Sequence, residues 1–360
     1  MHEPLRIPGD APREAARIGR RLEALVDFGF ERSWEPEVRT DVARCDARTV
    51  RVTSRRPAMG TLVRVAAIGS SEDRLTDAID RAFVEMDRLV GLLSRHDRTS
   101  SLSHLNRTGS LEGPAPEVAT VVEAALDFHR RTGGHFDVTV APLVLLYESY
   151  ADAPVPALPS DVEVREALAL VGVEAVRCTR RRIALTRSGM ALTLDGIAKG
   201  YVVDRLAGVL ERHGVTRYLV DAGGDIRARG TKEGGVPWTV AVRDPALGGS
   251  YSDMLHVVGG AVATSGSYLR AYDAEGLHHH VFDAGTGCSP ARTLSASVVA
   301  PTAMAADALA TAVLLMEPRG AVRFVDGLRG CACLIIDREG AAVRSRRWRS
   351  AAPTDGDGIT

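Results

Sequence analysis

The chain has 360 residues, 45% hydrophobic and 25% charged, with a formal net charge of -1. Without a basic surplus, neither nucleic acid nor an anionic membrane is expected as a partner. The five cysteines, an odd number without a Cys-x-x-Cys pair, argue against a disulfide framework.

Residues 1–50 read as an N-terminal appendage, in which Ile18, Leu22, Leu25 and Val26 have the spacing of an amphipathic helix. They lack the uninterrupted apolar stretch of a signal peptide, and no run reaches transmembrane length, so no integral membrane segment and a cytoplasmic location are expected. From 51 to about 350 the pattern becomes dense, and 351–360 read as a flexible tail. Here "TLVRVAAI" predicts a strand, followed by a helix with Leu75, Ile79, Phe83, Met86 and Leu89 on one face. A second helix carries Val118, Val121, Val122 and Ala125 and stops at Gly133-Gly134. The proline-punctuated "YADAPVPALPSDVEV" is either a domain boundary or a surface loop within one domain. "RRIALT" and "MALTLD" suggest a hairpin, and a helix from about Ala198 to His213 is stopped by Gly214. The strands "RYLVDAG" and "SASVVA" follow. Pro301-Thr302 then starts a helix through "AMAADALATAVLLM", with Pro318 closing it. In "CACLII", alternation puts Cys331 and Cys333 on one face of a buried strand. Hairpins mixed with helices indicate an α+β fold.

Several segments carry polar groups suited to chemistry. Asp307 and Thr311 are four apart on one helix and project their oxygens from one face. That pair suits a hard cation such as Mg²⁺ sharing its shell with a phosphate, and equally a solvated Asp beside a Thr bonded to its own helix. In "LDGIAKGYVVD", Asp195, Gly196, Lys199 and Gly200 lie where a strand gives way to a helix start, a natural place for phosphate or simply a tight turn. Gly223-Gly224 after a strand permit close backbone approach, with Asp225 placed to hold a polar edge.

Three consecutive histidines, His278, His279 and His280, suggest metal at first sight. Alternation on a strand would separate them, so one histidine in acid–base chemistry fits better. The turn Asp283–Gly287 offers amides to an anion. Met59-Gly60-Thr61 before the first strand, and Phe136-Asp137 after a helix stop, complete the set.

Taken in order, "MGT", "LLSRHDRTSSLSHLN", "TGGHFDVTVAPL", "GIAKGYVVD", "AGGDIRARG", "TSGSYLR", "HHHVFDAGTG" and "APTAMAADALATA" resemble the ApbE family, the FAD:protein FMN transferases. The resemblance runs from about Pro57 to Met316. It implies a mixed α and β fold around an FAD cleft, with Mg²⁺ at the pyrophosphate held by Asp307, Thr311 and the carbonyl of Ala198. It places Met59, Phe136, Asp137 and Val281 at the FAD, with Asp195 and Gly224 close by. His96 stands where the family often has a tyrosine, Asp195 where it often has a small or amide residue, and Ala284-Gly285 loosen the family's Asp-Pro-x-Thr-Gly turn.

The chemistry implied is transfer of FMN from FAD to a threonine of an acceptor protein, with AMP leaving. Lys199 would neutralise phosphate charge and His280 would accept the hydroxyl proton, with Asp307 and Asp283 as rival bases. A Mg²⁺-dependent FAD pyrophosphatase and a non-catalytic FAD carrier are the alternatives.

Overall fold

The structure is a computed structural model and describes residues 38–153, 157–245, 250–273 and 275–351. The helix expected around Ile18 to Val26 lies outside them, as does the tail from residue 352. In chain order the strands are β1 (Arg39–Arg44), β2 (Val50–Ala58), β3 (Thr61–Gly69), β4 (Ser110–Glu112), β5 (Val176–Cys178), β6 (Arg182–Leu185), β7 (Tyr218–Ala222), β8 (Ile226–Arg229), β9 (Trp238–Arg243), β10 (Tyr251–Val257), β11 (Gly259–Gly266), β12 (Thr293–Ala300), β13 (Ala332–Asp337) and β14 (Ala342–Arg344). The α-helices are α1 (Glu72–Leu93), α2 (Ser101–Thr108), α3 (Pro116–Arg131), α4 (Ala141–Ala151), α5 (Asp161–Leu168), α6 (Ala198–Arg212), α7 (Ala303–Leu315) and α8 (Pro318–Gly327).

Nine strands form one sheet in the order β1-β2-β3-β7-β8-β11-β12-β13-β14. Every neighbouring pair in it is antiparallel, as the α+β reading requires. Alternation along β3 sends Val63, Val65 and Ala67 to the helical face, and Ala66 and Ile68 to the other. On the helical face α1, α6 and α7 bury a continuous core. Phe83, Ile79, Met86 and Leu89 of α1 are fully enclosed there, each worth about 1.5–3 kcal/mol relative to an exposed side chain. The opposite face is covered by the β9–β10 hairpin, through Trp238, Val240 and Val242, and by Trp348.

α7 is apolar nearly all round and buried on both flanks, against β11 and β12 beneath and α6 beside it. Its neighbour approaches closely because Gly200 lacks a side chain: a Cβ there would overlap the Ala303 carbonyl and stand 2.8 Å from Asp307 Cβ. This contact sets where Asp307 lies relative to the start of α6.

The structure departs from the sequence reading in three places. The sheet begins at Arg39, inside the stretch set aside as an appendage, because β1 pairs with β2 throughout its length. "MALTLD" is not a strand: β6 pairs with β4 and β5, and the 190–195 segment, buried as far as Leu194, runs irregularly. The Asn106 side chain serves the middle of that segment, donating to the Leu192 carbonyl and accepting from the Leu192 amide, both at 2.8 Å, while the Thr193 amide donates to the Val138 carbonyl. Pro318 does not close α7, which ends at Leu315; it is the first residue of α8, where a missing N–H costs nothing. On either side of the proline-punctuated stretch the described residues pack together, as the reading of a loop within one domain expects: Leu143, Val144 and Tyr147 of α4 share a core with Ala167 of α5 and with Phe282. Cys331 and Cys333 are buried in the helical-face core, as alternation required.

Candidate active site

The start of α6 is the centre on which the candidate residues converge. The preceding segment turns at Leu194, whose carbonyl accepts from Ile197 and Ala198, and the helix begins at Ala198. Gly200 donates its N–H to Asp307 Oδ2 at 3.0 Å, so α7 is fastened to the first turn of α6 by the carboxylate itself. The amides expected to face phosphate are therefore largely spent inside the protein.

Asp307 is only 4% exposed. Burial raises its pKa well above the carboxylate range, and the nearby Asp225 carboxylate raises it further against the Lys199 charge. One oxygen takes the Gly200 N–H, and the other has no donor among the described residues. One turn on, Thr311 Oγ1 lies 3.2 Å from Ser265 Oγ. It is left open on the α6 side because Gly196 has no side chain; a Cβ there would stand 2.9 Å from the hydroxyl oxygen. A buried carboxylate and a hydroxyl one turn apart at a glycine-lined gap suit a hard cation that retains water or substrate ligands. No cluster of three His, Cys, Asp or Glu side chains suited to a metal occurs among the described residues. The proposed set contains a single carboxylate and does not depend on such a cluster.

Lys199 follows Ala198 and pairs with Asp225 Oδ2 at 2.5 Å. Burial opposes its charge, but Asp225, Asp307 and Asp195 together raise its pKa, so the ammonium is a permanent cation here. Asp225, 1% exposed, thus holds the lysine instead of a ligand edge as the sequence suggested. It follows the turn between β7 and β8, where Gly224 (φ 101°) donates to Asp221 Oδ1 at 2.9 Å. Burial pushes the Asp221 carboxyl up to about 6. No atom lies within 4 Å of where a Gly224 Cβ would be, so its surface is open to a ligand, whereas a Cβ on Gly223 would overlap Thr61 Oγ1. That contact brings the β2–β3 hairpin tip to the site. Its turn residues are Gly60 (φ 71°) and Met59 (φ 53°), the only non-glycine with positive φ among the described residues.

The three histidines separate, although by a bend with one isolated bridge instead of a strand. His278 Nδ1 bonds Asp273 Oδ2 at 2.6 Å. His279 is fully buried; Nδ1 accepts from the Val281 amide, so Nε2 carries the proton toward the Pro290 carbonyl. Burial lowers its pKa to about 4. His280 turns the other way, with both its amide and Nδ1 on the Arg270 carbonyl at 3.2 and 3.3 Å. Burial lowers its pKa, while Asp195 opposes that shift and Lys199 and Arg270 reinforce it, which places His280 in the field of the α6 start. Val281, 8% exposed, packs into the core behind it.

Phe136 is 3% exposed and would lie 3.3 Å from a Gly196 Cβ, so it floors the same gap. Asp137 is brought next to it but spends its carboxylate on the protein: Oδ1 caps the turn at Thr139 and Oδ2 lies 3.3 Å from His129. Any contact it makes to a ligand must therefore come from its backbone. The 283–287 turn also differs from expectation, since Asp283 accepts the amides of Gly285, Thr286 and Gly287 itself. Those amides are not open to an anion, and one oxygen of Asp283 is taken up by its own turn. His96 is exposed at the rim, beside Arg95.

The sequence reading missed Arg95, Glu148 and Arg270. Arg95 donates to Asp195 Oδ2 at 2.7 Å and clasps Glu148 through both terminal nitrogens at 2.7 and 2.8 Å. Arg270 joins the same Glu148 carboxylate at 2.7 Å. A clue was present: Glu148 is a lone acid in the apolar run "APLVLLYESYA". Asp204, also missed, caps α7 by accepting from Ala303 and Met304 at 2.9 Å.

Comparison with known proteins shows the family. The model of the ApbE family matches residues 59–335. The FAD:protein FMN transferase of Salmonella typhimurium is 31% identical over 301 residues, covering 81% of this chain and 85% of that protein. The corresponding protein of Vibrio cholerae is 31% identical over 290 residues, 78% of this chain and 86% of its own length. Among solved structures, the ApbE protein of Thermotoga maritima superposes with a TM-score of 0.75 at 30% identity, covering 86% of this chain and 97% of that one. The flavin transferase ApbE of Vibrio cholerae gives 0.72 at 27% identity, over 84% and 97%. The chain belongs to the ApbE family.

Proposed function

We propose that this protein is a Mg²⁺-dependent FAD:protein FMN transferase that attaches FMN to a threonine of an acceptor protein and releases AMP. The observation that carries this reading is the convergence at the α6 start. A buried carboxylate (Asp307), a hydroxyl (Thr311), a fixed ammonium (Lys199) and an imidazole with one bare nitrogen (His280) surround a gap kept clear by Gly196 and Gly224. FAD and a protein acceptor also stand in the names of the relatives.

Asp307, Thr311 and the Ala198 carbonyl would hold Mg²⁺, which when bound supplies positive charge against pyrophosphate oxygens. Lys199, held by Asp225, presents a second positive charge at the same point. Phe136 and Met59 bound the flavin side, and Gly224 lets the ligand approach the backbone. The acceptor threonine hydroxyl attacks the FMN-side phosphorus; a new O–P bond forms as the bond from that phosphorus to the bridging oxygen breaks, and AMP departs with that oxygen. The hydroxyl proton passes to His280 Nε2; burial lowers the ring's pKa, which keeps the imidazole neutral and so able to accept a proton. Catalysis of this kind rests mainly on positioning and charge stabilisation.

The test is incubation with FAD and Mg²⁺, with and without an acceptor protein carrying the target threonine, followed by mass spectrometry and an AMP assay. Acceptor gaining FMN as AMP appears supports the transferase. AMP and free FMN without labelling indicate a pyrophosphatase, and intact bound FAD indicates a carrier.

A further inference from the structure

Beside His280, charged side chains from separate segments form a continuous chain. Arg95 follows α1 and is only 8% exposed in its side chain; it clasps Glu148 of α4 and reaches Asp195 before α6. Glu148, 12% exposed, also takes the Arg270 guanidinium. The Arg270 backbone carbonyl in turn receives both the amide and Nδ1 of His280. A carbonyl can only accept, so Nδ1 must carry the proton and Nε2 must be the bare nitrogen. The alternative tautomer would set two lone pairs against each other. The charged and titratable groups facing the His280 ring are Asp195, Lys199, Arg270 and the neutral His279, whose ring centroid is 6.1 Å away. Carboxylate and guanidinium alternate along the chain, so Asp195 enters the cleft already paired.

We infer that Glu148, clamped by Arg95, is a positioning residue for the transfer: by anchoring Arg270 it holds the Arg270 carbonyl against His280 and fixes the imidazole with its reactive nitrogen bare. This rests on His280 being the base of the proposed reaction. Glu148 touches neither FAD nor the acceptor and acts only through Arg270. Glu148→Gln keeps the shape but removes the charge: with its oxygen at the Oε1 position, where Arg95 Nη2 and Arg270 Nη1 both donate, its NH2 is set against Arg95 Nη1 and the bidentate clasp is broken.

The experiment uses the full chain, FAD, Mg²⁺ and a threonine-bearing acceptor. Glu148→Gln is expected to lower kcat about tenfold or more, because small misplacement of a reacting group is costly, with KM for FAD changed by less than about twofold. In a His280→Ala background the same substitution should have no further effect, and Arg270→Lys should retain more activity than Arg270→Met. Nitrogen NMR of labelled histidines, with the His280 signal identified by its loss in His280→Ala, should show a protonated Nδ1 in the wild type and a tautomer mixture in Glu148→Gln. An unchanged kcat in Glu148→Gln, an equal loss in both backgrounds, or a wild-type His280 protonated on Nε2 would overturn the inference. A wild type that labels no acceptor, yet shows the Nδ1–H tautomer and its loss in Glu148→Gln, would overturn the transferase reading while leaving the clamp in place.

Discussion

Replacing Asp307 by Asn isolates the metal role from the structural one. Asn has nearly the same shape, and its amide oxygen can still accept the Gly200 N–H that Asp307 accepts at 3.0 Å, so the α6–α7 junction should survive. What is lost is the negative charge beside the Thr311 hydroxyl. In the metal-free protein that charge is an expense, since it is buried near the Asp225 carboxylate. Metal-free Asp307→Asn should therefore be at least as stable as wild type. With Mg²⁺ the order reverses. A ligand at a hundredfold its Kd stabilises the folded state by about 2.7 kcal/mol. The unfolding entropy of a 360-residue chain is about 0.8 kcal/mol per kelvin, which converts that to a Tm rise of about 3–4 °C. Differential scanning fluorimetry across a Mg²⁺ series should show this rise in wild type and none in the variant. FMN transfer should fall by about 10³-fold or more, about 4 kcal/mol of barrier. An equal Mg²⁺-dependent rise in the variant, or undiminished turnover, would refute the assignment of Asp307 to the metal.

Three further substitutions probe what holds the site in place. Gly200→Ala should destabilise by about 3 kcal/mol or more, read as a fall in the denaturant midpoint, because the new methyl meets the Ala303 backbone, which cannot step aside. Asn106→Ala should cost about 2–4 kcal/mol by orphaning the amide and carbonyl of fully buried Leu192. His279 has a folded pKa of about 4, below its unfolded value near 6.5, so its contribution is complete above pH 6.5 and lost as pH falls toward 4. Denaturation curves at pH 7.5 and 4 should show wild type losing about 3 kcal/mol more than His279→Gln over that interval; parallel losses would refute the buried-neutral assignment.

Local features with strong periodicity were legible in the chain. The helix of Leu75, Ile79, Phe83 and Met86, the stop at Gly214 (φ 78°) and the start at Thr302, whose hydroxyl caps the Ala305 amide, all follow from spacing and capping. The Asp307–Thr311 pair was legible for the same reason, since the helical period fixes side-chain direction without tertiary help; the three histidines separate as expected, but through a bend and not through a strand's alternation. Segment 190–195 was not: its apolar alternation resembles a strand, but Leu192 bonds the Asn106 side chain and Thr193 the Val138 carbonyl, both far away in sequence. Pro318 was misread because proline ends one helix and begins another equally well.

What only the tertiary structure decided was which polar groups are already spent. Sequence presents Asp225, Asp137, Asp283 and Asp307 as equivalent carboxylates. Folding commits Asp225 to Lys199, Asp137 to Thr139 and His129, and Asp283 to its own turn. Asp307 gives one oxygen to the Gly200 N–H, and what sets it apart is its place one turn from Thr311, at the gap cleared by Gly196. The chain Arg95–Glu148–Arg270, which joins residues far apart in sequence to the carbonyl behind His280, exists only once α1, α4 and the 270–280 segment are packed together. The types of group available for chemistry were therefore written in the sequence, while packing determined which of them remain free to act.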